Sequence, residues 1–307
     1  MRNNYKIYGL NIVSDLDLIS VKKLDRCHKD KDIDVSICYG KVPKRYLDAY
    51  ENKININVCK ETLFNEFCVK VNDIGIYYVK NGNEIIVHQL VEGKEEIHSL
   101  LILGTALAVI LFQRGNIVIH GSAILPSYNK EKSSIAIVGK SGAGKSSLST
   151  ALIEDGNKFI ADDLSVLDNN INVLPGTSCQ KLCVDALVKF GYNKEELRSV
   201  NQRCEKKYYY DRSDVFYNDS SKLSHIFVLE ESDEVEDVKL VEILGSEKLN
   251  TVIDNLFYKK LVDYIGLEKE LFDKILHLLN RIKVYKLFRP INQFTVNEQI
   301  KKIKEVI

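Results

Sequence analysis

The sequence carries no excess charge of either sign: 43 Lys and Arg stand against 43 Asp and Glu in 307 residues. A protein that holds nucleic acid chiefly through its phosphates needs a large basic surface, so balanced charge argues against a nucleic-acid partner and leaves room only for a local basic site. No unbroken apolar stretch reaches the ~18 residues of a membrane span. The longest, LLILGTALAVILF, runs from Leu100 to Phe112 and reads as a buried core helix, with no membrane partner. The amino-terminal MRNNYKIYGLNI has no apolar signal core, and the seven cysteines are odd in number; both facts predict a cytoplasmic location. Cysteine and histidine pairs at zinc spacing are missing too. Cys179 and Cys183, the closest pair, read as one helical turn apart and as free structural thiols. There is no internal repeat and no low-complexity linker.

At about 150 residues per domain, the length predicts two domains. Residues 1–92 read as a β-rich module suited to recognising a peptide or partner. Its clearest stretch is FCVKVNDIGIYYVKNGNEIIVHQL, where Val69 and Val71 alternate with polar residues and Asn81-Gly82 signals a two-residue hairpin. Residues 93–307 read as one catalytic domain, opened by a helix from Glu95 to Gln113 with Gly115 at its carboxyl cap. The order then becomes strand (NIVIHGSAILP), turn, strand (SSIAIV), glycine loop, helix, strand (KFIADDLSVLD), which is that of a mononucleotide-binding core. Cys183 to Phe190 with Gly191 reads as a short capped helix. The acidic run from Glu230 to Asp237 reads as a solvated loop tip, and Lys248 to Ile282 as helical.

The glycine loop matches G-x-x-x-x-G-K-[ST] over Gly139, Lys140, Ser141, Gly142, Ala143, Gly144, Lys145 and Ser146, with Ser147 after it. In this pattern successive backbone N–H groups face inward to hold phosphates. Lys145 reaches the β and γ groups, and the Ser146 hydroxyl ligates magnesium. The helix that follows adds its positive dipole end and free N–H groups to the same anion. ATP and Mg2+ are the cofactors this predicts. Neither a guanine-reading N-K-x-D nor an L-S-G-G-Q signature accompanies the loop, which disfavours GTPases and ABC-type ATPases.

Asp162 and Asp163 end the apolar run KFIA, so they belong at the carboxyl edge of the sheet beside the loop. One carboxylate can hold the magnesium shell while the other meets a substrate hydroxyl. A turn-capping role is the alternative. His120, on the strand IVIHGSAIL, is by itself more often structural than functional, though Gly121 and Ser122 beside it ease the close approach of a ligand.

The order I-H-G-S-A, G-K-S-G-A-G-K-S-S, F-I-A-D-D resembles HPr kinase/phosphorylase and the wider HPr-kinase-like serine kinases. The resemblance covers Ile117 to Asp168 and, more loosely, the stretch to Leu229. It implies an α/β fold: a P-loop core of the HPr-kinase C-terminal-domain type with the β-rich module before it. It also implies that Asp163 is the general base toward a serine, that Lys145 and Ser146 serve phosphate and magnesium, that Asp162 supports the metal, and that His120 approaches the transferred phosphoryl. A homo-oligomer is implied as well. Ser147 stands where the HPr-modifying enzymes typically carry Glu, and their R-G-L-G signature is replaced by VLPGTSCQKLCVDALVKFGY, so HPr itself and the reverse reaction are not expected. The pattern VLPG…KL..DAL..FG and the opening YKIYGLNI resemble instead a divergent branch that phosphorylates lasso-peptide precursors. The expected partner is then a peptide or protein with an acceptor serine. A small-metabolite hydroxyl, or a non-catalytic nucleotide-binding regulator, is the alternative. Arg203 to Arg212 (RCEKKYYYDR), with Lys222 nearby, is a candidate basic patch for a carboxylate or phosphate, or else a solvated face.

Overall fold

Apolar and polar residues alternate along much of the first ninety positions, and that period of two builds strands. A computed structural model describes residues 2–25, 29–51, 65–71, 73–129, 131–200, 207–259, 262 and 267–307. The chain divides into two units, Met1–Asn116 and Ile117–Ile307. Strands β1 (Asn3–Ile7), β2 (Leu10–Ser14), β3 (Val35–Tyr39), β4 (Glu66–Val71), β5 (Gly75–Lys80) and β6 (Glu84–Gln89) form one sheet in the order β1-β2-β3-β6-β5-β4. Among the described residues one α-helix, α1 (Lys44–Glu51), interrupts the strands. The hairpin at Asn81-Gly82 is present but one residue longer than expected, because Lys80 pairs with Glu84 and leaves three residues in the turn.

The apolar helix is continuous from Glu95 to Gln113: α2 (Glu95–Leu101), a π turn over Ile102–Ala106, and α3 (Leu107–Gln113). Gly115, at φ 79°, follows it as expected. Its 18-residue window of mean hydropathy 1.7 is long and apolar enough to cross a membrane, and half of it is buried inside the protein. From sequence the catalytic domain opens at residue 93, with this helix; the division by contacts falls after Asn116 and groups the helix with the first unit. It is tied to that sheet along its length. Tyr77 and His98 share a 2.6 Å hydrogen bond, the Ile19 N–H donates to Ser99 Oγ, and the Gly82 N–H donates to Gln113 Oε1.

In the second unit β7 (Ile117–Leu125), β8 (Ser134–Gly139), α4 (Lys145–Glu154), β9 (Lys158–Ala161), β10 (Leu164–Leu167) and β11 (Asn172–Leu174) follow in turn. Then come β12 (Cys179–Cys183), α5 (Val184–Phe190), β13 (Arg198–Ser199), β14 (Lys207–Asp211), β15 (Ser221–Ser232) and β16 (Lys239–Glu242). Helices α6 (Gly245–Asp254) and α7 (Lys269–Leu279), strand β17 (Lys283–Pro290) and helix α8 (Val296–Lys304) complete it. The central sheet runs β11-β10-β7-β8-β15-β17-β16, with β9 also on β7, and β12-β14-β13 form a small separate sheet.

β15 lies parallel to both β8 and β17, and strands inside such a sheet are apolar on both faces. Ala136 and Val138 pack with Val252 and Leu278 of α6 and α7. Ile135 and Ile137 pack on the other face with Leu148 and Leu152 of α4 and Ile300 of α8. The second unit is therefore a three-layer α/β structure.

Three local expectations change. Cys179 and Cys183 end a strand instead of sharing a helical turn. Among the described residues Lys248 to Ile282 is not one continuous helix: it is interrupted where Leu256 bridges to Ile119 of β7, with α6 before the break and Lys259, Val262 and α7 helical after it. The acidic run is partly strand, because β15 continues through Ser232.

Candidate active site

β8 and β15 run so close that a Cβ on Gly139 would lie 2.5 Å from the Leu229 carbonyl oxygen, and Gly139 itself has φ 138°. Only glycine fits there, and the chain turns from it through 140–144 into α4, capped by Gly144. Lys145 folds back over this loop, its Nζ donating to the Gly139 carbonyl at 2.8 Å and the Lys140 carbonyl at 3.0 Å. Burial pushes its pKa below the usual lysine value, against the pull of Asp163.

Asp162 and Asp163 occupy the break between β9 and β10. β7 pairs with both strands, placing the break opposite Gly121 and Ser122. The Ser122 hydroxyl donates to Asp162 Oδ1 at 2.6 Å, and the Lys181 N–H donates to Asp162 Oδ2 at 2.9 Å. Asp163 takes φ 63°, an uncommon conformation outside glycine, and its Oδ2 accepts from Lys181 Nζ at 2.7 Å. The two carboxyls part company electrostatically. Burial and the neighbouring Asp163 push Asp162 above its usual value. Burial also disfavours charge on Asp163, but the Lys181 ammonium outweighs it and, with Lys207 and His120, holds that carboxyl below its usual value. Asp163 in turn raises Lys181 against its burial.

His120 lies on β7 beside Asp163, and burial pushes its imidazole toward the neutral form. Gly121 has a task beyond the one expected. A Cβ there would sit 2.4 Å from the Ile137 carbonyl oxygen, so the glycine serves the contact of β7 with β8 as well as lining the site cavity.

One cavity of about 810 Å3 joins these groups. All the sequence-predicted site residues line it except Gly139 and Ala143, which line an adjoining cavity of about 690 Å3 on the other side of the loop. Every residue around the larger cavity belongs to the second unit. The oxygen donors it gathers, the Ser146 hydroxyl and two carboxyls, suit a hard divalent cation. No group of three or more His, Cys, Asp and Glu side chains with metal-site geometry occurs among the described residues.

Three cations here escaped the sequence reading, and Lys189 at the end of α5 is one of them. Lys181 carried only a weak signal, a lysine alternating with buried Gln180 and Leu182 in CQKLC. Arg289 ends β17; its Nε donates to the Ala143 carbonyl of the loop at 3.0 Å, its Nη1 reaches the carbonyls of Pro290 and Gln293, and its Nη2 pairs with Glu231. Glu231, though exposed, thus also lines the cavity.

The basic patch comes apart. Residues 203–206 lie outside the described residues, and Lys207 lines the cavity. Arg212 is only 4% exposed: it bonds Gln180 and Glu154 at 3.0 and 2.8 Å and stacks 4.2 Å over Tyr210. A guanidinium buried and paired in this way, with its Nη2 also donating to the Tyr192 hydroxyl, holds the fold and is turned away from a solvent-facing groove.

No family model and no curated protein sequence matches the chain. Among solved structures it is similar to the HPr(Ser) kinase/phosphatase from Coxiella burnetii, at 15% identity over 61% of this chain and 95% of that one, with a TM-score of 0.27.

Proposed function

We propose that the second unit is an ATP- and magnesium-dependent phosphotransferase acting on a serine hydroxyl of a peptide or protein, with a lasso-type precursor as the finer reading of the acceptor. The observation that carries the phosphotransferase is the meeting, in one cavity, of the Gly144-Lys145-Ser146 helix start with His120 and a carboxylate that Lys181 keeps ionised. The acceptor rests on the order of the I-H-G-S-A, loop and D-D motifs.

In the proposed step the hydroxyl oxygen attacks the γ-phosphorus and the bond from phosphorus to the β–γ bridging oxygen breaks. ADP leaves, and the hydroxyl proton passes to Asp163. A carboxylate held below its usual pKa is a weak base, but phosphoryl transfer has a loose transition state in which orienting the nucleophile matters more than early proton removal. Ser146 and Asp162 would hold magnesium, which when bound offsets the charge on the phosphate oxygens. Lys145 leaves the Gly139 and Lys140 carbonyls for the phosphates, and neutral His120 stands beside the transferred group.

Asp163→Asn tests this directly. It should keep ATP binding while lowering phosphate transfer to a serine-bearing acceptor by at least ~100-fold, as loss of a general base does. Transfer at the parent rate would remove Asp163 from the step.

A further inference from the structure

Phe294 is an aromatic ring left open to solvent inside the same cavity that holds the phosphate loop. It is 47% exposed, among the most exposed large apolar side chains described, and it follows Asn292 and Gln293 along the cavity wall. A half-exposed phenylalanine at a cavity end needs an occupant, because apolar surface in a concave site is what ligands bury. The ring is held from one side by Phe190, whose centroid lies 6.1 Å away at 71°. Over it sits the Lys189 ammonium, 4.5 Å from the centroid. Lysine on its flexible stem is a weak, exchangeable cover at an exposed site.

Arg289 sets the distance between this ring and the phosphate loop. The same guanidinium donates to the Ala143 carbonyl in the loop and to the Gln293 carbonyl next to Phe294. An elongated ligand with its anionic end on the loop therefore meets an aromatic face at a fixed remove. Nucleotides have that construction, a phosphate chain at one end and a flat π surface at the other, and every base offers a face for stacking.

We propose that Phe294 is the stacking platform of a nucleobase subsite, with Lys189 as the lid that the base displaces and Arg289 as the strut that keeps the subsite in register with the loop. This rests on the phosphotransferase reading of the loop and adds the base end of the ligand to it. Cation and ring trade partners on binding: Lys189 leaves Phe294, which frees its ammonium for the cavity it already lines.

The experiment compares two ligands on three proteins by calorimetry with magnesium present: ATP, and inorganic tripolyphosphate, which has the phosphates without the base. Phe294→Ala should weaken ATP between about fivefold and about 150-fold, the range of one lost base–aromatic stack, and leave tripolyphosphate unchanged. Phe294→Tyr, which keeps a π face, should bind ATP as the parent does. Unchanged tripolyphosphate binding also reports an intact loop in each variant. Equal weakening of both ligands by Phe294→Ala, or no weakening of ATP, overturns the subsite. A parent protein that binds tripolyphosphate as tightly as ATP overturns the subsite alone, and one that binds neither overturns the phosphate-loop reading with it.

Discussion

Lys181 Nζ stands 2.7 Å from Asp163 Oδ2, and the backbone N–H of the same lysine donates to Asp162. One residue of β12 thus holds both members of the acidic pair, with its main chain on one and its side chain on the other. The ammonium and the Asp163 carboxylate are both mostly buried, so each depends on the other for its charge.

Removing one partner should therefore cost more than removing both. Lys181→Met is expected to lower unfolding stability by about 3 kcal/mol, since it strands the buried Asp163 carboxylate. The double variant Lys181→Met/Asp163→Asn should recover most of that loss while remaining inactive. Urea denaturation of the full cycle measures the coupling, and additive losses would show that the pair is not electrostatically joined.

His225 predicts an acid limb in stability. It stacks against Phe227 and Tyr285, 6.0 and 6.1 Å between centroids, with Ser224 bonded to its Nδ1. Burial, with Lys283 adding to it, pushes its pKa down from 6.5 to about 4. Between those values the unfolded chain binds a proton that the folded chain refuses, so stability rises with pH across that window and is lost as pH falls through it. His225→Phe should flatten that part of the stability curve relative to the parent. Identical slopes for the two proteins in denaturant titrations stepped between those limits would rule the residue out as the source.

Arg212 should behave as part of the core despite its charge. Arg212→Met is expected to cost about 2 kcal/mol, through the lost hydrogen bond to buried Gln180 and the lost stack on Tyr210. Arg212→Lys should recover less than half, because an ammonium cannot reproduce the planar fork and ring contact together. Thermal denaturation checks both variants. Full recovery by lysine would mean that only the positive charge mattered.

How much the sequence disclosed follows the distance over which each signal acts. The strand, glycine-rich turn and helix over 134–154, the strand KFIA before the Asp pair and the glycines at Gly115 and Gly191 are local patterns, and their backbone conformations are the expected ones. Lys181 and Arg289 became visible only through pairing. Their partners lie 18 and 146 positions away, and strand register brings them together. The helix from Glu95 was legible as a helix, but composition does not say which sheet an apolar helix covers; His98, Ser99 and Gln113 decide it by their hydrogen bonds. Arg212 misled because a basic residue among tyrosines reads as surface until the carboxylate of Glu154 closes over it.

β8 is pinched on both flanks, by β7 where Gly121 meets the Ile137 carbonyl and by β15 where Gly139 meets that of Leu229. The strand that launches the phosphate loop can neither slide nor tilt without a backbone collision. One part of the cavity lining is thus held by backbone against backbone, whereas Lys189, Lys207 and Phe294 of the same lining meet solvent. Stiffness and exposure are divided within the lining of a single site.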